Sequence, residues 1–292
     1  MPTRQDTLWE QLLKPVISNL IDREKLERFA QSVDWDAETQ RITNPQTTYP
    51  RYYQNSFHGI EGGYLTVTAA VTYDPITQYV LPPQETWVRQ GAIDRVKVQP
   101  RRILDLGCGT GTTTLLLKQT FPQAQVIGLD LSPYLLVVAA HKARQANLDM
   151  QWRHGNAEAT GLPAASFDLI SIALLFHETP AAVTQGILRE SFRLLAAGGQ
   201  IIILDGNQKT LAQMPWLRNV FEEPFIEDYA AGNLDAGLSA AGFGAVQTED
   251  WWLVHQLSQG VKPLPGATPQ PAAAIQTDPG LDSLGEIPAP AF

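Results

Sequence analysis

The chain of 292 residues carries 21 basic and 30 acidic side chains, a formal net charge of −9 at pH 7, and 44% of its residues are hydrophobic. This hydrophobic fraction supplies a core and excludes a wholly disordered chain. The acidic balance argues against a nonspecific nucleic-acid binder, which needs a dense basic surface. The length predicts one or two domains.

The cysteine count and the apolar stretches restrict the compartment. One cysteine, Cys108, excludes an intramolecular disulfide and a zinc site built on two or more thiolates. The first ten residues lack the apolar core of a secretory signal. No apolar stretch reaches the ~20 residues that span a bilayer. We therefore predict a cytoplasmic protein without an integral membrane segment, with peripheral membrane contact left open.

Residues 1–97 indicate an N-terminal cap of helices and aromatic side chains. Apolar residues at helical spacing predict a helix over residues 6–33, and a helical pattern returns over residues 84–96. Between them, residues 49–79 are rich in tyrosine, glycine and proline. That composition predicts an irregular loop or lid.

Residues 98–260 alternate short apolar strands with amphipathic helices, the pattern of a mainly parallel sheet covered on both faces. We predict an α/β fold with a Rossmann-like, doubly wound sheet of seven strands, mostly parallel and closed by an antiparallel terminal hairpin. Residues 261–292 are proline-rich and predict a disordered tail. The predicted strands cover residues 102–106, 125–129, 150–154, 167–172, 200–204, 245–249 and 252–257; the predicted helices cover 112–120, 133–146, 181–195 and 227–241.

Three glycines, Gly107, Gly109 and Gly111, follow the first predicted strand. A glycine-rich turn between a strand and a helix lets the backbone approach a ligand closely. The third glycine comes one residue too early for the dinucleotide pattern, and no Gly-Lys-Ser/Thr follows for a phosphate loop. Because the carboxylate of Asp105 would repel a pyrophosphate, the loop favours a ligand that carries an ammonium group and a sulfonium.

A second acidic residue, Asp130, ends the next predicted strand. An acid at that position accepts hydrogen bonds from both ribose hydroxyls of an adenosine. The alternative is a helix N-cap, since Ser132 and Pro133 follow. Taken alone, Asp130 does not distinguish NAD from S-adenosylmethionine.

Five ordered segments resemble the motifs of the class I S-adenosylmethionine-dependent methyltransferases. A further stretch, from Tyr73-Asp-Pro75 to Trp87-Val-Arg89, is similar to the region before motif I in the ubiquinone/menaquinone C-methyltransferase group of methyltransferase type 11. The five segments are Asp105-Leu-Gly-Cys-Gly-Thr-Gly111, Leu129-Asp-Leu-Ser-Pro133, Gly155-Asn-Ala-Glu-Ala-Thr-Gly-Leu-Pro163, Phe167-Asp-Leu-Ile170 and Leu194-Leu-Ala-Ala-Gly-Gly-Gln200.

The resemblance implies S-adenosyl-L-methionine as the cofactor and assigns a part of that molecule to each motif residue. On this likeness Gly107, Gly109 and Gly111 contact the methionine portion, and Asp105 lies on its ammonium side. Asp130 binds the ribose. The adenine is expected to contact Leu131, Asn156 and Ala157, with Asn156 standing where the family often has an aspartate.

Three residues are candidates for catalysis. His177 follows the fourth predicted strand, at the ligand end of the sheet, and is the first choice as a base; a packing or capping role is the alternative. His58 lies in the aromatic segment that we expect to cover the site. Tyr73 belongs to the stretch that resembles the quinone C-methyltransferases, although its ring could equally pack the cap onto the core. We predict no metal, because the acid that a catechol-type mechanism needs near Ala173 is missing.

The leading hypothesis is a methyltransferase that acts on oxygen, nitrogen or carbon of a small apolar or aromatic acceptor, with a quinol-like ring as one option. The alternatives are a non-catalytic cofactor-binding or scaffold protein, a nicotinamide-dependent oxidoreductase and, more weakly, an RNA methyltransferase. The predicted partner is a small molecule and not a nucleic acid. The oligomeric state stays open.

Overall fold

The computed structural model describes residues 21–54, 57, 62–80, 84–214, 216–218 and 223–266. The catalytic candidate His58 lies outside the described residues. So do the first twenty residues and most of the predicted tail. The predicted domain limits after residues 97 and 260 stay predictions.

Seven strands form a single sheet in the order β3-β2-β1-β4-β5-β7-β6. Strands β1 to β5 pair in parallel, and β7 runs antiparallel to both β5 and β6. The predicted fold class is confirmed. The strands are β1 (Arg102–Leu106), β2 (Gln125–Asp130), β3 (Gln151–His154), β4 (Phe167–Ala173), β5 (Leu195–Gly206), β6 (Gly244–Trp251) and β7 (His255–Val261).

Helices connect the strands and precede the sheet. Among the described residues, no helix has the length and apolar character needed to cross a membrane. Short 3₁₀ turns lie at Arg51–Gln54 and Phe176–Glu178. The helices are α1 (Arg23–Ser32), α2 (Trp35–Ile42), α3 (Val67–Val80), α4 (Glu85–Asp94), α5 (Thr112–Thr120), α6 (Pro133–Gln145), α7 (Ala181–Leu194), α8 (Gln208–Gln213), α9 (Ile226–Ala231) and α10 (Leu234–Ala240).

The strands are apolar on both faces because each face is covered. On β1, Leu104 and Leu106 belong to the core cluster that includes α7, whereas Ile103 packs in the cluster that includes α4 and α5. Successive side chains of a strand point to opposite faces. The alternation therefore places Leu104 and Leu106 against α7 and Ile103 against α4 and α5.

The N-terminal cap packs on the sheet domain through α6. Its aromatic residues form a cluster with Leu135 and Val138 of that helix. In the cluster, Phe57 and Tyr64 are 1% and 3% exposed, and their rings stack at 5.4 Å. The aromatic composition of this region therefore provides the contact surface between the cap and the sheet domain.

Three sequence-based predictions of secondary structure were wrong. The helix expected over residues 6–33 is not continuous, because Asp22 has non-helical backbone angles and caps α1 at Arg23. Residues 49–79 were expected to be irregular, but α3 occupies Val67–Val80 and contains Pro75. The buried Ala69 and Ala70 pack in the aromatic cluster, and this tertiary contact outweighs the helix-breaking proline. The single helix expected over residues 227–241 is two helices, α9 and α10, because Asn233 caps α10 by accepting from the N–H of Ala236 at 2.9 Å.

Candidate active site

A cavity lies where β1, β2 and β4 end, beneath the aromatic cap. Its volume is about 620 Å³, including the part open to solvent. The carboxyl ends of the strands are where open α/β sheets bind ligands. The lining residues are Tyr52, Tyr53, Phe57, Tyr64, Tyr73, Gly107, Gly109, Leu129, Asp130, Leu131, Leu135, Gly155, Asn156, Ala157, Leu174, Leu175, Glu178, Thr179 and Ile187.

Gly107 and Gly109 line this cavity and leave room for a ligand. Both adopt positive φ, +66° and +55°, a conformation that favours glycine. A Cβ on Gly107 would lie 2.8 Å from Cδ2 of Leu175. The N–H of Gly107 donates to the carbonyl of Leu129 at 2.8 Å, which ties the loop to the end of β2.

Gly111 and Asp105 belong to the same motif but do not line the cavity. A Cβ on Gly111 would lie 2.6 Å from the ring of Trp152, so this glycine makes room for an indole. Asp105 is 1% exposed and shares the sheet face of Ile103, where Thr114 of α5 donates to its Oδ2 at 2.6 Å. Burial raises the pKa of Asp105 to about 6. Both residues therefore make their contacts on the side of the loop that faces away from the cavity.

Asp130 lines the cavity with a carboxylate fixed by two backbone donors. The N–H of Gly109 donates to Oδ2 at 2.8 Å, and the N–H of Ser132 donates to Oδ1 at 2.8 Å. Burial raises the pKa of Asp130 to about 6, against the opposing effect of those two donors. The helix N-cap is Ser132, whose hydroxyl accepts from the N–H of Leu135. The capping alternative for Asp130 is therefore wrong.

The three residues expected at the adenine lie together at one end of the cavity. Leu131 and Ala157 are 8% and 7% exposed. The Oδ1 of Asn156 already accepts from the N–H of Glu158 at 2.9 Å, which fixes the orientation of the amide. His154 anchors this end, because its Nδ1 accepts from the N–H of Asn44 and its Nε2 lies 3.0 Å from the carbonyl of Leu131.

Aromatic side chains of the cap face the glycine loop across the cavity. Tyr73 of α3 lies over Gly109, at 3.9 Å from the position of a Cβ on that glycine. Tyr64 meets Tyr73 edge-on, with ring centroids 5.9 Å apart. Burial raises the pKa of Tyr73, so its hydroxyl is neutral at physiological pH. The composition of residues 49–79 indicated this aromatic cover, but it did not identify which rings line the cavity.

An ion-pair network fastens the cap to the glycine loop. Asp74 of α3 accepts from the hydroxyl of Thr110 and forms an ion pair with Lys142 of α6, with Nζ to Oδ2 at 2.6 Å. The same Lys142 donates to Thr112 at 2.8 Å. The position of Tyr73 over the loop is thus secured by the residue next to it.

His177 does not line the cavity. It is 8% exposed, and its Nδ1 lies 2.6 Å from Oδ1 of the fully buried Asp205. Burial alone would lower the pKa of His177, but the charge and hydrogen bond of Asp205 raise it to about 9. The neighbouring Glu178 lines the cavity instead and accepts from the hydroxyl of Tyr64 at 2.7 Å. Sequence reasoning missed Glu178, although its place beside His177 at the end of β4 was a usable signal.

The residues present fit an adenosyl sulfonium compound. Asp130 and Glu178 are the charged side chains among the described lining residues, and both are acidic. Carboxylates attract a positively charged sulfur and repel a pyrophosphate. The two glycines allow close approach, and Asp130 presents oxygen acceptors for hydroxyl groups.

Comparison with known proteins agrees with this geometry. A family model described as a methyltransferase domain matches residues 103–199. A demethylmenaquinone methyltransferase of Thermus thermophilus is 31% identical over 51% of this chain and 69% of its own. The enzyme of the same name from Lactococcus lactis is 32% identical over 66% of this chain and 82% of its own. The demethylmenaquinone methyltransferase of Deinococcus radiodurans is 36% identical over 41% of this chain and 48% of its own length.

Solved structures share the fold at low sequence identity. Phosphoethanolamine N-methyltransferase 2 of Haemonchus contortus, solved with S-adenosyl-L-methionine, has a TM-score of 0.52 at 16% identity over 68% of this chain and 58% of its own. The S-adenosylmethionine-dependent methyltransferase SibL has a TM-score of 0.53 at 20% identity over 77% of this chain and 65% of its own. The chain belongs to the class I S-adenosylmethionine-dependent methyltransferases and takes S-adenosyl-L-methionine as its methyl donor.

Proposed function

We propose that the protein methylates a carbon of a reduced quinone ring such as demethylmenaquinol. The observation that carries the proposal is the cavity itself, in which aromatic side chains of the cap face the glycine loop and Asp130. Flat rings stack well on such walls. The demethylmenaquinone methyltransferases among the relatives support the choice of ring.

Within this function, the residues divide between the donor and the acceptor. Gly107 and Gly109 receive the methionine portion, and Asp130 accepts from the ribose hydroxyls. The adenine lies against Leu131, Asn156 and Ala157, while Gly111 and Asp105 maintain the loop without touching the donor. The proposed acceptor wall consists of Tyr52, Tyr53, Phe57, Tyr64 and Tyr73.

The chemistry requires an electron-rich acceptor. The bound donor supplies an electrophilic methyl group, whose bonding electron pair stays on sulfur. A hydroquinone ring carbon attacks readily once the hydroxyl proton leaves, whereas an oxidised quinone is electron-poor. The ring then returns to the aromatic form by losing the proton of the attacked carbon. The protein aligns the two reactants and excludes water, and alignment of this kind supplies about 7–11 kcal/mol of the barrier in favourable cases.

The test is a transfer assay with isotopically labelled S-adenosylmethionine. Acceptors are demethylmenaquinol, the same compound kept oxidised, a simple phenol and phosphoethanolamine. We expect label in the ring of demethylmenaquinol and none in the oxidised form. Label in phosphoethanolamine alone would refute the proposed acceptor class. Donor binding without transfer to any acceptor would instead favour a non-catalytic role, and tight binding of NAD would favour an oxidoreductase.

The remaining aspects of the function are also proposals. The partner is a small molecule and not a nucleic acid, which the acidic net charge of −9 supports. A cytoplasmic location agrees with the single cysteine. Fractionation of cells that produce the protein, with and without a salt wash of the membranes, tests the location and any peripheral contact.

A further inference from the structure

The chain turns sharply after β4 and brings Glu178 to the cavity. Leu174 adopts a φ of +59°, a left-handed conformation that is strained for leucine and occurs beside functional sites. Asp205 then accepts from the N–H of Phe176 at 2.8 Å, which holds the 3₁₀ turn Phe176–Glu178. The backbone geometry therefore presents the carboxylate of Glu178, 9% exposed, to the cavity beside Tyr64, a residue of the proposed acceptor wall.

Tyr64 fixes the orientation of this carboxylate. Its hydroxyl donates to Oε1 of Glu178 at 2.7 Å. Its own backbone carbonyl accepts from the hydroxyl of Ser132 at 2.6 Å, and its ring stacks on Phe57. The backbone of Tyr64 is thus tied to Ser132, next to the proposed donor site, and its hydroxyl holds the carboxylate of Glu178.

His177 lies between two carboxylates behind the cavity wall. Its Nδ1 is 2.6 Å from Oδ1 of Asp205, and its Nε2 is 3.9 Å from Oε1 of Glu178. The charge and hydrogen bond of Asp205 overcome the effect of burial and raise the pKa of His177 to about 9, so the imidazole is positively charged at neutral pH. Its charge attracts the carboxylate of Glu178 and keeps it in place.

The two acidic residues of the cavity have different surroundings. Both oxygens of Asp130 accept from backbone N–H groups at the ribose end. Glu178 is held by side chains among the aromatic rings of the acceptor side. We propose that Glu178 is the base that removes the hydroxyl proton of the acceptor, with Tyr64 and His177 as positioning residues, an assignment that rests on the proposed function.

Glu178 takes up the hydroxyl proton of the acceptor and returns it within one catalytic cycle. The acceptor O–H bond breaks, the proton joins the carboxylate of Glu178, and the electron pair stays on the acceptor oxygen and flows into the ring. After methylation, the ring carbon loses its proton to water and the oxygen regains the proton from Glu178. One proton leaves per methyl group transferred, and the carboxylate is restored.

The first test compares kcat and donor affinity in matched variants. Glu178→Gln keeps the shape but removes the base, and we expect kcat to fall roughly 10²–10⁴-fold. Its affinity for S-adenosylhomocysteine, measured by calorimetry, stays unchanged. Tyr64→Phe gives a smaller fall in kcat, and Glu178→Asp recovers part of the rate lost in Glu178→Gln. Glu249→Gln is the control, because Glu249 is half-exposed on β6 and pairs with Arg95.

The second test separates a base from a structural residue. The acceptors are ring-substituted quinols whose hydroxyl groups ionise above or below the assay pH. If Glu178 removes the proton, the defect of Glu178→Gln shrinks for quinols that are already ionised. An equal defect across the series, or no defect, overturns the assignment. Failure of the wild-type protein to methylate any quinol refutes the proposed function itself, and the assignment falls with it.

Discussion

Replacing Asp130 with alanine tests the donor site directly. The carboxylate lines the cavity and is oriented by the N–H groups of Gly109 and Ser132, each at 2.8 Å. In the proposed function it accepts from the two ribose hydroxyls of the donor. The substitution therefore removes the ribose acceptors and also leaves two backbone donors without their partner.

The magnitudes of these two effects are separable. A hydrogen bond to a charged group contributes about 1.5–3 kcal/mol net of the bonds to water that it replaces, so we expect about 1.5–3 kcal/mol of lost donor binding. This corresponds to a roughly 10- to 150-fold rise in Kd. The two orphaned N–H groups lower the free energy of unfolding by about 1–3 kcal/mol, since water in the cavity can reach them in part.

The assay is calorimetry with S-adenosylhomocysteine, combined with urea unfolding of the free protein. Asp168→Ala is a matched control: that carboxylate accepts from the N–H groups of Arg101 and Arg102 at 2.8 and 3.0 Å, at the amino ends of β1 and β4, away from the cavity. It should lower stability and leave the Kd unchanged. A folded Asp130→Ala variant that binds S-adenosylhomocysteine as tightly as the wild type would remove Asp130 from the ribose site.

Three further predictions concern the loop, the cap and the pH dependence. Gly111→Ala should lower the free energy of unfolding, measured by urea titration, by about 2–4 kcal/mol, because it combines positive φ with a clash against Trp152. Gly161→Ala is the control: this glycine shares the positive φ, +68°, but has no neighbour within 4 Å of an added Cβ, so the free energy of unfolding should fall by less. Asp74→Asn should speed amide hydrogen exchange across α3 and weaken S-adenosylhomocysteine binding, while exchange in β4 stays unchanged. Burial lowers the pKa of His154 below 6.5, so its neutral form is favoured in the fold and its contribution to stability is present above pH 6.5 and lost as the pH falls below it. The Tm difference between wild type and His154→Asn should therefore narrow from pH 7.5 to pH 5.5, and a constant difference would contradict this sign.

The sheet domain could be predicted from sequence because its signals are local. Runs such as Ile103-Leu-Asp-Leu106 and Val126-Ile-Gly-Leu129 are short, apolar and bounded by turns, and the observed β1 and α5 have the predicted limits. The Gly107–Gly111 loop also carries its own requirement for positive φ. Because positive φ favours glycine, the positions of these glycines in the sequence were enough to predict the loop.

The cap could not be predicted in the same way because it depends on distant contacts. Proline and tyrosine in residues 49–79 suggested an irregular lid, yet Val67–Val80 is helical because Ala69 and Ala70 pack against the α6 surface. The role of Gly111 was hidden for the same reason. The space that it leaves is filled by Trp152 of β3, forty-one positions further along the chain and visible only in three dimensions.

The choice between His177 and Glu178 marks the limit of sequence reasoning about the site. Strand alternation assigns side chains to faces only while the strand continues, and β4 ends at Ala173. After it, the positive φ of Leu174 and the hydrogen bond from Phe176 to Asp205 set the direction of each side chain. The chemistry of imidazole favoured His177 as the base. The turn instead places His177 against the buried Asp205, and Glu178 lines the cavity. The position of the site at the end of β4 was predictable because open α/β sheets bind ligands at the carboxyl ends of their strands, whereas the side chain that lines the cavity there depends on one irregular turn.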